Sequence, residues 1–368
     1  MRRGRPPAWD APPMQERQDV PLAELTTLRL GGPARRLLEP ESADELVEAV
    51  AAADASGEPL LLIAGGSNLV IADSGFDGTV VRIATRGLTT VSLDDGERVR
   101  LTAAAGEPWD ELVAGCVAGG LAGIECLSGI PGSTGATPIQ NVGAYGEEVA
   151  QTVVAVRAFD REVGEVVELT PRQCRFGYRS SAFKRSRRHV LLDVTFELER
   201  ARVSRPIRYG QLAAELGLEA GERAPLAEVR DAVLALRRGK GMVIDAADPD
   251  SVSAGSFFTN PILETADFAA LERRVVARLG ADSNLPSWPE PDGRVKTSAA
   301  WLIEQAGFGR GYGSSAAGVS AKHSLALVNR GGATTAELVA LARELRDGVD
   351  EAFGISLVAE PTLVGVAL

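Results

Sequence analysis

The sequence predicts an α+β protein of more than one domain, and three observations carry that expectation. A chain of 368 residues exceeds what one hydrophobic core usually serves. Segments with helical apolar periodicity occur beside segments that alternate apolar and polar side chains. Glycine-rich stretches that follow neither period interrupt them.

The elements can be placed in order. Between Arg35 and Gly57 a helix is expected, capped by Ser42, with Asp44 and Glu45 in its first turn and Leu46 and Val50 on its buried stripe. The run PLLLIAGGSNLVIADSGFDGTVVRI reads as three apolar strands separated by turns. Trp109, Leu112, Val113, Cys116 and Val117 then share one face of a helix from Trp109 to Gly119. VVAVRAFD, EVVELT and HVLLDVTFEL alternate as antiparallel strands do. A helix marked by Leu226, Val229, Val233 and Leu236 stops at Gly239. The strongest helical signal follows Thr334, which forms a capping box with Glu337 ahead of Leu338, Leu341, Leu345, Val349 and Phe353. ISLVAEPTLVGVAL reads as two strands broken at Pro361.

Composition narrows the function. Hydrophobic residues make up 45% and charged residues 24%, enough for large cores. A net charge of −11 argues against wrapping nucleic acid or lying on anionic lipid. No apolar run approaches the roughly 18 residues of a membrane-spanning helix. Residues 1–18 begin with basic residues but lack the apolar stretch of a signal peptide, so they read as a disordered tail. Cys116, Cys126 and Cys174 are odd in number and match no zinc spacing, so neither a disulfide framework nor a metal site is expected. These features point to a cytoplasmic protein.

Two glycine-rich loops remain. GGSN, Gly65 to Asn68, lets main-chain N–H groups approach an anion. It opens no helix and matches neither the dinucleotide nor the P-loop pattern, so alone it reads as a hairpin turn. GIPGSTGATPIQNVGAYG, Gly129 to Gly146, adds Gln140, Asn141 and Tyr145 to a similarly bare main chain. Together the loops suit one extended ligand with a pyrophosphate and a flat polar ring system, a description that a flavin dinucleotide fits.

TTLRLGGPA, IAGGSNLVIAD, GIPGSTGATPIQNVGAYGEEV, CRFGYRSSAFK, SAGSFFTNP, VKTSAAWLIEQAGF and LVAEPTLVG follow one another as in a known family. With them the sequence resembles the UDP-N-acetylenolpyruvoylglucosamine reductases, MurB-type flavoenzymes of peptidoglycan synthesis, in their lid-containing subtype. The resemblance implies a two-part FAD-binding domain of the vanillyl-alcohol-oxidase (PCMH) type, here residues 19–85 with 355–368 and residues 86–205, and a separate α+β substrate-binding domain, residues 206–354. It also implies that NADPH reduces FAD, and that an enolpyruvyl ether on a UDP-sugar is then reduced to UDP-N-acetylmuramate. Neither His189 nor His323 lies in a flavin loop, so the FAD is expected to be non-covalent.

By the same resemblance Arg179 polarises the substrate carboxylate, Ser256 donates the proton, and Glu360 is the third catalytic residue. The chemistry suits these types, because a guanidinium grips a carboxylate bidentately and a serine donates only when preorganised. Cofactor contacts are expected from Gly65, Gly66, Ser67, Asn68, Gly132, Ser133, Gly135, Ala136, Gln140, Asn141, Gly143 and Ala144. Substrate contacts are expected from Tyr145, Tyr178, Tyr209, Lys240, Asn260 and Trp288, the last standing where a tyrosine is usual. Arg175, Lys184, Arg185, Arg187 and Arg188 read as a solvated face, and His323 as a strand end. Two other readings compete: a flavin oxidase of the same fold acting on a sugar or alcohol, and a non-catalytic UDP-sugar binding module.

Overall fold

The computed structural model describes residues 14–93 and 96–368. Residues 1–13 of the expected tail lie outside the described residues, but the rest of it is a strand. Gln15–Pro21 pairs antiparallel with Pro33–Glu39, and Arg17–Glu39 and Arg36–Glu16 ion pairs cross the two. Val20 anchors it in the core. The expected tail therefore ends too late, because its polar residues belong to a sheet edge where only one side chain needs burying.

Phe76–Arg82 and Leu60–Ile63 extend this sheet in parallel. The helix Ala43–Ser56 carries the expected capping box between Ser42 and Glu45. Its Leu46 and Val50 pack with Val81 of this sheet and with Phe159, Val190 and Leu192 of the next. That second sheet is antiparallel, in the order Glu165–Leu169, Val153–Asp160, His189–Arg200, Arg98–Ala104 and Leu88–Ser92. The helix Trp109–Ala118 buries Trp109, Leu112, Val113 and Cys116 against it.

The third region is mostly helical, and its core gathers Leu338, Leu341, Leu345, Val349 and Phe353 of Thr335–Phe353. Around them stand the helices Thr265–Leu279 and Ala299–Gln305 and the strands Ser253–Ser256, Ala326–Asn329 and Ala317–Val319. Leu226–Gly239 and Gly210–Glu215 form a satellite with its own small core. No helix among the described residues is long and apolar enough to cross a membrane.

Two local expectations need correction. GGSN does not close a hairpin: Leu60–Ile63 and Leu69–Ile71 belong to different sheets, and Leu69–Ile71 pairs in parallel with Thr362–Val364. Nor do residues 355–361 form a strand. Their main chain pairs with residues 257–259, through a Phe258–Ala359 bridge, Glu360 N donating to Phe257 O at 2.9 Å, and Thr259 N donating to Val358 O at 3.0 Å. Such a short partner offers no ladder to extend.

The seam between the strand Leu69–Ile71 and the third region is polar and specific. Asp73 accepts from Thr335 N (2.7 Å) and Ala336 N (2.9 Å), placing a carboxylate at the N-terminus of Thr335–Phe353. Thr335 Oγ1 returns a bond to Ile71 O at 2.7 Å. Asp73→Ala is expected to lower unfolding free energy by about 1–2 kcal/mol in a denaturant titration, because it removes a cap and a charge that the helix dipole favours.

A second polar cluster underlies the longer glycine loop. Gly143–Ala144 and Glu147–Glu148 pair as a minimal hairpin. Glu125 is fully buried and accepts from Gly123 N at 2.6 Å, and Glu147 accepts from Cys126 N at 3.3 Å. Burial, then the neighbouring Glu125, pushes the Glu147 carboxyl up to about 7. Its protonated form is thus favoured by folding, and that contribution is lost as pH rises through about 7. The melting temperature is expected to fall between about pH 5 and 8, and Glu147→Gln, which mimics the protonated group, to flatten that fall.

Candidate active site

The two glycine loops meet main chain to main chain. A Cβ on Gly65 would run into Gly132 Cα. Gly66 has φ +61°, and a side chain there would strike Leu25 O. Ser67 Oγ donates to Pro131 O at 3.0 Å, which fastens one loop to the other. Among the described residues the N–H groups of Gly65, Gly66 and Ser67 find no acceptor, and the buried Ser133 hydroxyl has no partner. Gly135 and Ala136 instead donate inward, to Ala105 O and Ser133 O.

From Asn68 a chain of side-chain contacts crosses to the C-terminal segment. Asn68 Nδ2 donates to Gln140 Oε1 at 3.2 Å, and Gln140 Nε2 donates to Glu360 Oε1 at 3.1 Å. Arg179 Nε lies 3.3 Å from the same Glu360 oxygen, and Arg179 Nη2 donates to Gly143 O at 2.9 Å. Burial pushes the Glu360 carboxyl up, while Arg179, Lys184 and the Gln140 amide oppose it. Ser256 ends the strand Ser253–Ser256, and Phe257, the next residue, accepts from Glu360 N. The segments bearing Arg179, Ser256 and Glu360 therefore converge, although they come from the second sheet's domain, the third region and the C-terminus.

A cleft of about 630 Å³ opens beside them, lined in part by Tyr178, Arg179, Lys184, Asn260 and Ala359. The Arg179 guanidinium carbon lies 5.3 Å from the centre of the Tyr178 ring, and Lys296 Nζ lies 5.0 Å from it. Asn260 uses its oxygen to accept from Ala299 N at 3.0 Å, which starts the helix Ala299–Gln305. Trp288 stands opposite Lys296 in the strand register, so both share one face of a small sheet, and the indole is 45% exposed. Tyr145, Tyr209 and Lys240 form a second group. The two rings meet edge to face at 5.5 Å, and Lys240 Nζ lies 5.8 Å from the Tyr145 centroid while donating to Gln211 Oε1 at 2.9 Å.

Two residues differ from expectation. Asn141, buried and with φ +47°, turns its amide inward: it donates to Glu148 Oε2 (2.7 Å) and Gly177 O (3.1 Å) and accepts from Ala150 N (3.1 Å). It shapes the loop from behind and has no amide group left over for a ligand. Lys184 is not part of a solvated face. It is half-buried and donates to Arg179 O at 2.8 Å.

Three residues that the sequence reading did not single out support the site. Asp110 accepts from Gly129 N at 2.5 Å and from both terminal nitrogens of Arg230, at 2.6 and 2.9 Å, tying the loop to the helix Leu226–Gly239. Burial works against its ionisation, but Arg230 and the Gly129 N–H outweigh it and hold the carboxyl below its usual range. Lys296 lay within a recognised stretch, VKTSAAW, yet nothing in its spacing marked it as facing Tyr178.

The chain is similar to known proteins along nearly its whole length. A family described as UDP-N-acetylenolpyruvoylglucosamine reductase, C-terminal domain, matches residues 248–364, and one described as FAD binding domain matches residues 34–170. The UDP-N-acetylenolpyruvoylglucosamine reductase of Thermobifida fusca (strain YX) is 57% identical over 95% of this chain and 98% of its own. That of Mycolicibacterium smegmatis (strain ATCC 700084 / mc(2)155) is 53% identical over 95% of each. The crystal structure of the Thermus caldophilus UDP-N-acetylenolpyruvylglucosamine reductase (MurB) is 24% identical, covers 95% of this chain and 98% of its own, and has a TM-score of 0.62, which marks a shared fold. With its α+β architecture, its FAD-binding domain and relatives this similar along nearly its whole length, the chain belongs to the UDP-N-acetylenolpyruvoylglucosamine reductase family.

Proposed function

We propose that this chain is an NADPH-dependent reductase. It converts UDP-N-acetylglucosamine enolpyruvate to UDP-N-acetylmuramate in the cytoplasm, using non-covalently held FAD. In this reading residues 19–85 with 355–368, and residues 86–205, form the flavin domain, and residues 206–354 the substrate domain. The observation that carries the proposal is the meeting of Arg179, Glu360 and the Ser256 strand beside two bare glycine loops.

The loops fit the cofactor chemically. The free N–H groups of Gly65, Gly66 and Ser67, with the unpartnered Ser133 hydroxyl, are donors suited to a pyrophosphate. Asn68 and Gln140 offer amide groups suited to a flat polar ring. FAD, reduced by NADPH, would supply the hydride for the terminal enolpyruvyl carbon.

The chain's own residues then manage charge and proton. Negative charge develops toward the substrate carboxylate, where a fixed cation is worth roughly 3–4 kcal/mol. Arg179 is ion-paired with Glu360 and donates one N–H to Gly143 O, which sets its plane and leaves further donors for that carboxylate. Glu360 keeps the guanidinium in place. Ser256 delivers a proton to the carbon next to the carboxylate, and its position at a strand end preorganises a weak acid. Tyr178 and Asn260 line the approach, the exposed Trp288 shares a sheet face with Lys296, and Lys240, with Tyr145 and Tyr209, suits a diphosphate.

Two outcomes follow. Ser256→Ala should still bleach its flavin with NADPH under anaerobic conditions, while reoxidation by the enolpyruvyl sugar slows by about a hundredfold or more. Equal losses in the two half-reactions would refute the role. Lys240→Met should raise KM for the UDP-sugar roughly tenfold or more with little change in kcat, the pattern of lost uniform binding. A fall confined to kcat would move Lys240 out of that role.

A further inference from the structure

We infer that Lys184 is a positioning residue, which holds Arg179 in the backbone setting from which its guanidinium reaches Glu360 and the cleft. The inference rests on the reductase reading above, but its observations are separate.

Tyr178 and Arg179 form the tip of a tight turn, closed by Gly177 N donating to Ser180 O (3.0 Å) and Ser180 N donating to Gly177 O (3.1 Å). Arg179 has φ +48°, the left-handed region that a residue with a Cβ enters only when its surroundings hold it there. The turn's own bonds do not use the Arg179 carbonyl. Lys184, five residues on, folds back and donates to it at 2.8 Å. Arg185 and Arg187 on either side of the next serine are exposed, whereas Lys184 is half-buried, and both Lys184 and Arg185 line the cleft.

A lysine is not needed merely to satisfy a carbonyl near solvent, since water would serve. What water does not supply is a fixed positive charge. The groups facing Glu360 are the Arg179 guanidinium, the Lys184 ammonium, the Gln140 amide and the Tyr178 hydroxyl, and behind Tyr178 stands the Lys296–Glu290 pair. Lys184 is thus the second cation acting on this half-buried carboxylate. It steadies Arg179 through the main chain and favours the ionised form of Arg179's partner.

The test compares Lys184→Met and Lys184→Arg in the flavin-loaded enzyme. Reduction by NADPH should be unchanged in both. In Lys184→Met, reoxidation by the enolpyruvyl sugar should slow about tenfold or more, and the acid limb of its pH profile should move to higher pH, because Glu360 loses a neighbour that favours its charge. Lys184→Arg should recover most of the rate and the original limb. Hydrogen exchange, read without substrate, should show the 177–182 amides less protected in Lys184→Met alone. Unchanged reoxidation and acid limb in Lys184→Met would overturn the inference, as would equal losses in both half-reactions or unchanged exchange. If the unaltered enzyme itself is not reoxidised by the sugar, the reductase reading fails instead, and the exchange arm still decides whether Lys184 holds the turn.

Discussion

The contact between Glu360 and Arg179 is the constraint on which the rest of the site depends. Glu360 belongs to the last segment of the chain, and Arg179 to a turn that follows the second sheet's edge strand. Glu360 is half-buried, and drawing a carboxylate away from water is costly unless a partner compensates it. Here Arg179 and Gln140 share one carboxylate oxygen, so losing either leaves Glu360 poorly matched to its surroundings. The backbone of Glu360 also holds Phe257, the residue after Ser256. One side chain and its own N–H thereby index three parts of the fold to a common point.

The topology makes that indexing possible. Thr362–Val364 returns to pair with Leu69–Ile71, immediately after the GGSN loop, so the segment before it must pass beside Asn68 and Gln140. The glycines let the two loops lie against each other where any Cβ would force them apart. Asp73, capping the long C-terminal helix, keeps the third region from drifting off this seam. The polar groups behind the longer loop, Asn141 with Glu148 and Asp110 with Arg230, stiffen it.

What could be read from the sequence was local. The helices after Ser42 and Thr334 announced themselves through caps and apolar stripes, and the structure has both capping boxes. The alternating strands of the second sheet were legible because half of each faces a core. The helix Thr265–Leu279 went unread because only Leu271 and Val275 are buried along it, too few to mark a stripe. The first strand looked like a tail because its partner, not its own pattern, makes it a strand. GGSN looked like a hairpin because the strand that joins its far side lies nearly at the other end of the chain. The site was legible only as whole motifs. Neither the chemistry of a lone arginine or serine nor that of a glutamate before proline singles it out from surface neighbours. Lys184 was misread for the same reason, since a run of basic residues does not show which one folds inward.

The coupling of Arg179 to Glu360 can be measured directly by a double-mutant cycle on flavin reoxidation by the enolpyruvyl sugar. Arg179→Met, Glu360→Gln and the pair would be followed by anaerobic stopped flow. If the two act as one unit, the double variant reoxidises about as slowly as the worse single variant, so the two losses do not multiply. Losses that multiply would mean that the two residues act independently, and the arrangement described here would not be what organises the site.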